Sequence, residues 1–537
     1  MTIEEAIAMW REALDEERVA ADGDTLARFS RTTSPGGTRP CCVLYPESTE
    51  EVQAIVRIAG RTGVPLYPIS RGKNWGYGDA CAPADGYAIL ALNRMNRIIE
   101  LNRELAYAVI EPGVTQGQLY DYLQEHAPEL WMDATGAGTE ASVVGNALER
   151  GFGHTRQSDH VLSAGAMEVV LANGRILNTG LSHYENARAA HVYRHGVGPS
   201  LQGLFHQSNM GIVTRLTLYL SPKPEYFSFF YLTIGDPDRL SNLIEALRPA
   251  RMAGWVQSAV HIGNDLRMLS SLVPYPWDEL NGTPPITPDL RAALRRKAKV
   301  GAWNLSGSFT GPANLVRAHK RALRKAMRGA GRVRFVSDRT LALGESLTRW
   351  LPAPGLRDRI ELLRPYYDLL KGKSADLFLG SAQWRLRQKP AQDPGRPLNP
   401  AEAGCGLLWL SPVLPMTGEA AETVVNEMEP IFNRYGFDLP VTFTLLGERA
   451  MVCVMTVMFD KNEAEETEQA QACYDEALER LLALGFIPYR ANALSMDALW
   501  KAGDVFWDVA RQIKGALDPQ DLIAPGHYVP PADGRGG

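Results

Sequence analysis

Two glycine-rich passages constrain the fold of this chain more than any other feature of its sequence. The first spans residues 72–78 and follows an apolar segment at 65–70 that predicts a short strand, and the second spans residues 135–146. Because glycine lets backbone N–H groups approach a ligand closely, such passages can cradle phosphates without basic side chains. Glycine clusters are also common in plain turns, and neither passage has the spacing of a P-loop or a Rossmann fingerprint. Two such passages together favour a dinucleotide ligand.

Length and composition indicate a soluble enzyme with more than one domain. The 537 residues exceed what one hydrophobic core usually supports, so at least two domains are expected. The formal charge of -5 disfavours a nucleic-acid partner, because a phosphate backbone would be repelled. Pro222-Lys223-Pro224 marks a predicted boundary, after which the predicted elements become longer.

The six cysteines and the N-terminal segment point away from metal sites and export. The cysteines lack the CxxC spacing of a zinc site, so we expect small buried thiols and no metal centre. Residues 1–20 predict an amphipathic acidic helix without the basic start and apolar core of a secretory signal, and no long apolar run follows. We therefore expect no membrane span and a cytoplasmic location, with co-export alongside a partner as a route to the periplasm.

Apolar periodicity and turn residues predict a mixture of helices and strands. Asn173-Gly174 predicts a tight hairpin between strands at 166–171 and 175–179. Residues 385–404, rich in Pro, Gly and Asp, predict an exposed connection or lid. Further helices are predicted at residues 52–60, 116–126, 238–247 and near 317–329, and further strands at 88–92, 98–101, 106–110, 215–220, 227–233 and 256–262.

Tyr77, in the first glycine passage, and the distant pair Tyr489-Arg490 suggest the chemistry. If the fold brings them together, two phenolic donors and a permanent cation converge on one spot. Such a spot is suited to holding a bound phenol as its phenolate. An isolated Tyr-Arg pair is more often a surface feature, so the hypothesis depends on the rest of the sequence.

Several motifs, spread over nearly the whole sequence, occur in the order typical of one enzyme family. They are PISRGKN at 68–74, AYAVIEPGVT at 106–115, ERG at 149–151, MEVVLANG at 167–174, QSNMGIVT at 207–214, GAWNL at 301–305, Tyr489-Arg490 and IAPG at 523–526. The protein resembles the family of the p-cresol methylhydroxylase flavoprotein and vanillyl-alcohol oxidase. The resemblance implies an α+β fold. A two-part FAD-binding domain of the vanillyl-alcohol oxidase type would comprise residues 1–222 with a C-terminal return at 495–537, and an antiparallel-sheet substrate or cap domain would be inserted at 223–494.

The same resemblance implies FAD as the cofactor and assigns its contacts by position. The stretch that wraps the FAD pyrophosphate corresponds to Ser70, Arg71, Gly72, Lys73 and Asn74. Other positions along the cofactor correspond to Gly145, Asn146, Gly151, Gly153, Ile212 and Gly526.

The implied activity is oxidation of a 4-hydroxyphenyl compound, such as a 4-alkylphenol or a lignin-derived phenol, with Tyr77, Tyr489 and Arg490 as catalytic residues. A free phenol has a pKa of about 10, so ionisation at pH 7 needs a shift of roughly three units, or about 4 kcal/mol. Arg490 is expected to supply most of this shift, helped by hydrogen bonds from the two tyrosines. Electron density pushed toward the para carbon then lets a hydride leave for flavin N5, which yields a quinone methide that adds water or rearranges.

Some positions depart from the family pattern. Relatives tether the flavin through a histidine or a tyrosine where this sequence has Leu407 or Asn399, and Cys405 is better explained as structural, so we predict noncovalent FAD. Relatives also place an acid near flavin N5, where this sequence has Ala137 or Gly138 with Glu140 close by. Further acid or histidine positions correspond here to Thr442, Met451 and Val452.

The resemblance leaves the electron acceptor open between a cytochrome c partner and molecular oxygen. The sequence has no CxxCH haem motif, so any haem would belong to another subunit, and we expect a homodimer. Two alternatives are an oxidase of a nonphenolic alcohol or amine on the same fold, and a flavin-binding relative with little turnover.

Overall fold

The computed structural model describes residues 1–350, 354–391, 395–493, 495–501 and 503–531. Its helices are α1 (Ile3–Leu14), α2 (Gly23–Phe29), α3 (Thr49–Thr62), α4 (Gln116–His126), α5 (Val143–Leu148), α6 (Leu240–Met252), α7 (Asp265–Leu272), α8 (Pro288–Ala298), α9 (Ala313–Ala326), α10 (Asp338–Trp350), α11 (Pro354–Leu369), α12 (Gly418–Arg434), α13 (Ala464–Ala483) and α14 (Val505–Leu517). Its strands are β1 (Val19–Ala20), β2 (Cys42–Leu44), β3 (Leu66–Ile69), β4 (Ala88–Ala91), β5 (Ile98–Asn102), β6 (Tyr107–Ile110), β7 (Leu130–Trp131), β8 (Ala164–Val170), β9 (Ile176–Asn178), β10 (Ile212–Tyr219), β11 (Ser221–Pro222), β12 (Tyr226–Ile234), β13 (Val260–Asn264), β14 (Trp303–Gly311), β15 (Arg334–Ser337), β16 (Cys405–Leu410), β17 (Val413–Pro415), β18 (Val441–Leu445) and β19 (Ala450–Asp460).

Two sheets form the N-terminal part of the molecule. The first has the order β1-β2-β4-β3, with β2 and β3 parallel to β4, and the second is antiparallel with the order β5-β6-β10-β8-β9. Helix α3 begins at the Ser48 cap, ends at Gly63 in the left-handed conformation, and buries one apolar face. The C-terminal return joins the first sheet, because Leu66 donates its N–H to the Leu522 carbonyl and accepts one from Ala524.

An antiparallel eight-stranded sheet forms the second part. Its order is β15-β12-β14-β13-β18-β19-β16, and β17 also pairs with β19. Successive side chains on a strand point to opposite faces, and the two faces of this sheet differ in character. One face is apolar and packs against α6, α9, α12 and α13 in the largest core cluster. The other face carries many polar residues and lies over the glycine-rich passages, so the two parts of the molecule enclose a cavity.

Most predicted elements are confirmed, with small changes at their ends. The helix predicted at 116–126 matches α4, and the predicted hairpin is the β8–β9 pair with Gly174 at a φ of 76°. The strand predicted at 256–262 is displaced and runs from Val260 to Asn264. The physical reason is Arg251 on α6. Its guanidinium donates hydrogen bonds to the carbonyls of Val256 and Ser258, so these carbonyls do not pair within the sheet.

The α+β fold is confirmed, whereas the division at residues 222 and 494 stays a prediction. Within the predicted lid at 385–404, residues 392–394 lie outside the described part of the sequence, as do residues 494, 502 and 532–537 of the predicted domains. Five of the cysteines are buried thiols as expected, and Cys41 is half-buried. Among the described helices, none is long and apolar enough to cross a membrane, and the described side chains form no cluster of metal ligands.

Candidate active site

The cavity lies between the polar face of the eight-stranded sheet and the glycine-rich passages. It has a volume of about 550 Å³ and includes Tyr77, Tyr489 and Arg490 in its wall. Alternation along the strands explains the polar lining, since every second residue of a strand faces the cavity. The sheet contributes His261 and Gly263 from β13, Thr442 and Thr444 from β18, Thr456 from β19 and Trp409 from β16.

Backbone contacts hold the Tyr489-Arg490 segment against the first glycine passage. The Tyr489 N–H donates to the Ser411 carbonyl at 3.1 Å, and the Gln207 amide donates to the Tyr489 carbonyl at 2.9 Å. A few residues on, the Ala493 N–H donates to the Tyr77 carbonyl at 3.2 Å. A Cβ at Gly78 would lie only 2.9 Å from the Cβ of Ala493, so this close approach requires glycine.

The structure brings the three residues of the phenol hypothesis together. The Arg490 guanidinium carbon lies 4.3 Å from the centroid of the Tyr77 ring. The Tyr77 hydroxyl lies 2.8 Å from Ser411 Oγ and is also hydrogen-bonded to Tyr489. One cation and two phenolic hydroxyls therefore occupy one wall of the cavity.

The two tyrosines stay protonated at neutral pH. Burial raises the pKa of Tyr77 well above its ordinary value, and the nearby Tyr489 adds to this effect while Arg490 opposes it. Burial also raises the pKa of Tyr489, against the opposing charge of Arg490. A protonated hydroxyl is a hydrogen-bond donor, so the pair can donate to an anionic oxygen while the tyrosines themselves remain neutral.

Glu149 is a partner of Arg490 that sequence reasoning missed. Its Oε2 lies 3.1 Å from Arg490 Nε and also accepts a hydrogen bond from the Tyr528 hydroxyl. Arg490 further donates to the Asn74 amide oxygen. Burial alone would lower the pKa of Arg490, but the Glu149 carboxylate raises it above the ordinary value. The rule that buried charges are paired could have predicted an acid here, and the ERG motif contained it.

Two histidines also line the cavity, and sequence reasoning assigned them no role. The rings of His154 and His261 lie 4.5 Å apart between centroids. His154 Nδ1 donates to the Ala134 carbonyl, which leaves Nε2 as the basic nitrogen of the neutral ring. His261 Nδ1 lies 3.1 Å from Thr444 Oγ1, and its Nε2 is buried without a partner among the described residues.

Both histidines are neutral at pH 7, because burial lowers the pKa of each ring. They therefore offer uncharged bases, whereas the family pattern pointed to Met451 and Val452 as the positions for acid-base residues. Met451 instead packs in the apolar core on the far face of the sheet, and Val452 is buried outside the cavity wall.

The stretch from Ser70 to Asn74 fits an anionic cofactor. Among the described residues, the backbone N–H groups of Arg71, Gly72, Lys73 and Asn74 donate no hydrogen bond within the protein, and Gly72 has a φ of 64°. Consecutive free N–H groups of this kind form a concave anion site. All five residues of the stretch line the cavity, so the arrangement fits the FAD pyrophosphate.

The remaining predicted cofactor positions divide into two groups. Gly145, Asn146, Gly151 and Ile212 line the cavity. Gly153 and Gly526 form the second group and are not part of the cavity wall. A Cβ at Gly153 would meet the carboxylate of Asp133 at 2.4 Å. Gly526 lies near Pro83, and its neighbours Ala524 and His527 line the cavity.

Glu140 does not stand free as a base. Its carboxylate lies 3.0 Å from Lys73 Nζ and 4.0 Å from the Arg71 guanidinium. Burial alone would raise its pKa, but Lys73 lowers it below the ordinary value. Glu140 therefore holds the basic side chains of the anion site in place. Ala137 lines the cavity wall, but its methyl group cannot act as an acid or a base.

The tether positions lack a reactive side chain in the cavity. Leu407 lines the cavity wall, and Asn399 lines an adjoining cleft. Cys405 is fully buried, and burial raises the pKa of its thiol to about 12, which disfavours the nucleophilic thiolate. Noncovalent FAD remains a prediction.

Two family models match the sequence. The FAD binding domain matches residues 40–180, and the C-terminal domain of FAD linked oxidases matches residues 416–528. Among curated relatives, 1'-carboxy-chondrochloren decarboxylase of Chondromyces crocatus is 36% identical over 539 residues and covers 99% of each protein. The 4-cresol dehydrogenase (hydroxylating) flavoprotein subunit of Pseudomonas putida is 28% identical over 526 residues, which are 97% of this protein and 94% of the relative.

Solved structures agree with these matches. The crystal structure of p-cresol methylhydroxylase with substrate bound superposes with a TM-score of 0.87 at 27% identity, covering 99% of this protein and 97% of that one. The 4-ethylphenol oxidase from Gulosibacter chungangensis, in complex with isoeugenol, superposes with a TM-score of 0.89 at 27% identity and covers 99% and 98%.

Proposed function

Because this chain belongs to the FAD-dependent oxidoreductase family of p-cresol methylhydroxylase and vanillyl-alcohol oxidase, we propose that it oxidises the benzylic carbon of a 4-hydroxyphenyl compound. The single observation that carries the proposal is the position of Arg490 over the Tyr77 ring, with the Tyr489 hydroxyl in the same cluster. This arrangement supports recognition of a phenolic oxygen. Relatives named for cresol and ethylphenol support the same substrate class.

The first task of the site is to ionise the phenol. A shift of roughly three pKa units, about 4 kcal/mol, is needed at pH 7. Arg490 supplies a permanent cation, and the neutral Tyr77 and Tyr489 hydroxyls add hydrogen bonds that favour the anionic oxygen. Glu149 keeps the Arg490 guanidinium in place, and the hydroxyl donors supply the part of the shift that Arg490 does not.

The second task is to hold the cofactor and remove a hydride. FAD, when bound, supplies the two-electron acceptor. The backbone N–H groups of residues 71–74 would hold its pyrophosphate, with Arg71 and Lys73 as nearby cations. Loss of the benzylic hydride from the phenolate leaves a quinone methide of the substrate.

The fate of the quinone methide depends on what reaches its benzylic carbon. Water can add there, and the neutral rings of His154 and His261 are the bases that can accept its proton. A second candidate outcome is decarboxylation, favoured by the decarboxylase at 36% identity. In that case a carboxylate on the neighbouring carbon leaves as CO2, its bonding pair forms a double bond between the two substituent carbons, and the ring regains its phenolate. In both outcomes the substrate loses two electrons, which bound FAD would accept.

Anaerobic stopped-flow mixing tests the proposal. A 4-alkylphenol should bleach the flavin absorbance, whereas the matching 4-alkylanisole, whose oxygen cannot ionise, should not. Equal bleaching by both compounds would indicate an oxidase of nonphenolic substrates. No bleaching by any phenol would indicate a relative with little turnover.

The electron acceptor is a separate part of the proposal. One relative is by name a flavoprotein subunit, which supports an electron-accepting protein partner such as a cytochrome c, and molecular oxygen is the other candidate. Reoxidation of the reduced protein by oxidised cytochrome c or by dissolved oxygen, measured separately, distinguishes them. The homodimer is tested by light scattering.

A further inference from the structure

A third arginine, Arg267, lines the cavity beside Arg71 and Arg490 and has no counter-ion among the described side chains. Its guanidinium carbon lies 5.7 Å from the centroid of the Trp409 ring. Among the described side chains, no carboxylate lies within ion-pair distance of Arg267. Arg267 therefore differs from the other two cavity arginines, because Glu149 balances Arg490 and the Glu140 carboxylate lies 4.0 Å from the Arg71 guanidinium.

Local structure explains how Arg267 reaches the cavity. Strand β13 runs directly into α7, and Asn264 caps the helix because its side-chain oxygen accepts the Arg267 N–H at 2.9 Å. The aliphatic stem then crosses Gly263, where a Cβ would lie 3.6 Å from Arg267 Cγ. Asp265, the acid nearest in sequence, does not pair with Arg267, because its carboxylate forms ion pairs with Arg291 and Arg295 of α8.

The missing counter-ion leaves the charge of the half-buried Arg267 uncompensated within the protein. Burial lowers the pKa of Arg267, and the nearby Tyr366 hydroxyl only partly opposes this. A cation removed from water needs an anion or strong acceptors to compensate for the lost hydration. A ligand that supplies a carboxylate would provide that compensation.

The position of Arg267 relates it to the phenol end of the site. Trp409 and Ser411 are two residues apart on one extended segment, and residues at this spacing on a strand lie about 7 Å apart on the same face. Ser411 contacts the Tyr77 hydroxyl, and the Arg267 guanidinium lies over the ring of Trp409. A ligand with its phenol at Tyr77 can therefore extend its para substituent past Trp409 toward Arg267.

We propose that Arg267 binds a carboxylate on the para substituent of the phenolic substrate, so that the preferred substrates are 4-hydroxyphenyl alkanoates. This inference rests on the proposed function and specifies its substrate class. Arg267 is then a specificity-determining residue that prefers acids over neutral alkylphenols.

The test compares two ligands that share a phenol and differ in charge. They are 3-(4-hydroxyphenyl)propanoate and 4-propylphenol, titrated by calorimetry into the anaerobic holoenzyme after dithionite reduction, so that neither is oxidised. We expect Arg267→Met to weaken binding of the acid by about 10- to 100-fold and that of 4-propylphenol by less than about 3-fold. Arg267→Lys should recover part of the loss. Arg434→Met, which removes an exposed arginine paired with Glu476, is the matched control and should change neither affinity.

Each outcome decides between the two levels of the proposal. Equal weakening of both ligands in Arg267→Met would overturn the inference, because it would indicate a structural or cofactor-binding role. Wild-type protein that binds 4-propylphenol but not the acid would overturn the inference and leave the proposed function intact. Wild-type protein that binds neither ligand would overturn both.

Discussion

The Arg490 guanidinium lies 4.3 Å from the centre of the Tyr77 ring, although the two residues come from opposite ends of the sequence. The contact joins the C-terminal segment to the first glycine passage, and Asn74 of that passage also accepts a hydrogen bond from Arg490. The residues proposed to bind the phenol are thus attached directly to the stretch proposed to bind the FAD pyrophosphate. Substrate and cofactor sites are therefore held in one fixed relation.

Loss of the Arg490 charge should impair phenol oxidation. In Arg490→Met, we expect flavin reduction by a 4-alkylphenol to slow by about 100- to 1000-fold, since most of the roughly 4 kcal/mol needed for ionisation is lost. Anaerobic stopped-flow absorbance measures the rate. Arg480→Met, which removes an exposed arginine paired with Glu427, is the control and should react like wild type. An Arg490→Met rate near that of wild type would rule out the proposed role.

Removal of the Glu149 carboxylate should shift the ionisation of the bound phenol. In Glu149→Gln, the Arg490 charge is no longer balanced, so the bound phenol should ionise at lower pH than in wild type. The pH dependence of the bound phenol's ultraviolet spectrum measures this shift. Tyr528→Phe keeps the carboxylate and should shift the midpoint less. A midpoint displaced to higher pH in Glu149→Gln would mean that the acid only positions Arg490.

The Tyr77 hydroxyl should contribute more than its neighbour Ser411. We expect Tyr77→Phe to lower kcat/KM by about 10- to 100-fold, because a donor to a charged oxygen is lost at about 1.5–3 kcal/mol. Ser411→Ala removes only the hydroxyl that contacts Tyr77 at 2.8 Å, so its effect should be under about 10-fold. Steady-state kinetics with one 4-alkylphenol gives both values. The reverse order would assign substrate contact to Ser411.

FAD should leave the protein on denaturation. Acid precipitation of wild-type protein is expected to give a colourless pellet and a yellow supernatant, since Leu407 and Asn399 cannot form the bond and the Cys405 thiol is buried. Leu407→His, which places an imidazole on the cavity wall, should retain some colour in the pellet. A yellow wild-type pellet would show that another side chain is linked to the flavin.

Acid should destabilise the fold through His206. Burial lowers the pKa of this ring to about 4, so it stays neutral in the folded state while an unfolded histidine is protonated below about 6.5. Its contribution is full above pH 6.5 and is lost as pH falls toward 4, by up to about 3 kcal/mol. Urea unfolding at several pH values should give a shallower decline for His206→Asn than for wild type. Parallel declines would contradict the assignment.

Local signals in the sequence were sufficient for several elements of the fold. Helix α4 was predicted with its ends from an amphipathic run, and the structure shows its cap, because the Thr115 hydroxyl accepts the Gln118 N–H. The predicted start of β13 was wrong because the true start depends on Arg251 of a separate helix. Arg251 donates hydrogen bonds to the carbonyls of Val256 and Ser258. Such long-range competition leaves no periodic trace in the sequence.

The residues of the candidate site also fall into those that the sequence predicted and those that it did not. Tyr77, Tyr489 and Arg490 were named from their side-chain chemistry together with the family resemblance, and the structure places them together. The His154–His261 contact depends on how β13 lies over the second glycine passage, so spacing alone could not reveal it. The sequence could not distinguish Arg267 from other helix arginines either. Arg267 has no counter-ion because Arg291 and Arg295 of α8 already pair with Asp265.

The ionisation state of a phenol bound to the wild-type protein tests the central claim most directly. A 4-hydroxyphenyl ligand without a benzylic hydrogen, such as 4-hydroxybenzamide, can be titrated into the oxidised holoenzyme at pH 7 and followed by ultraviolet difference absorbance. The account predicts the phenolate spectrum, which should be lost in Arg490→Met. A neutral phenol spectrum in the wild-type complex would contradict it.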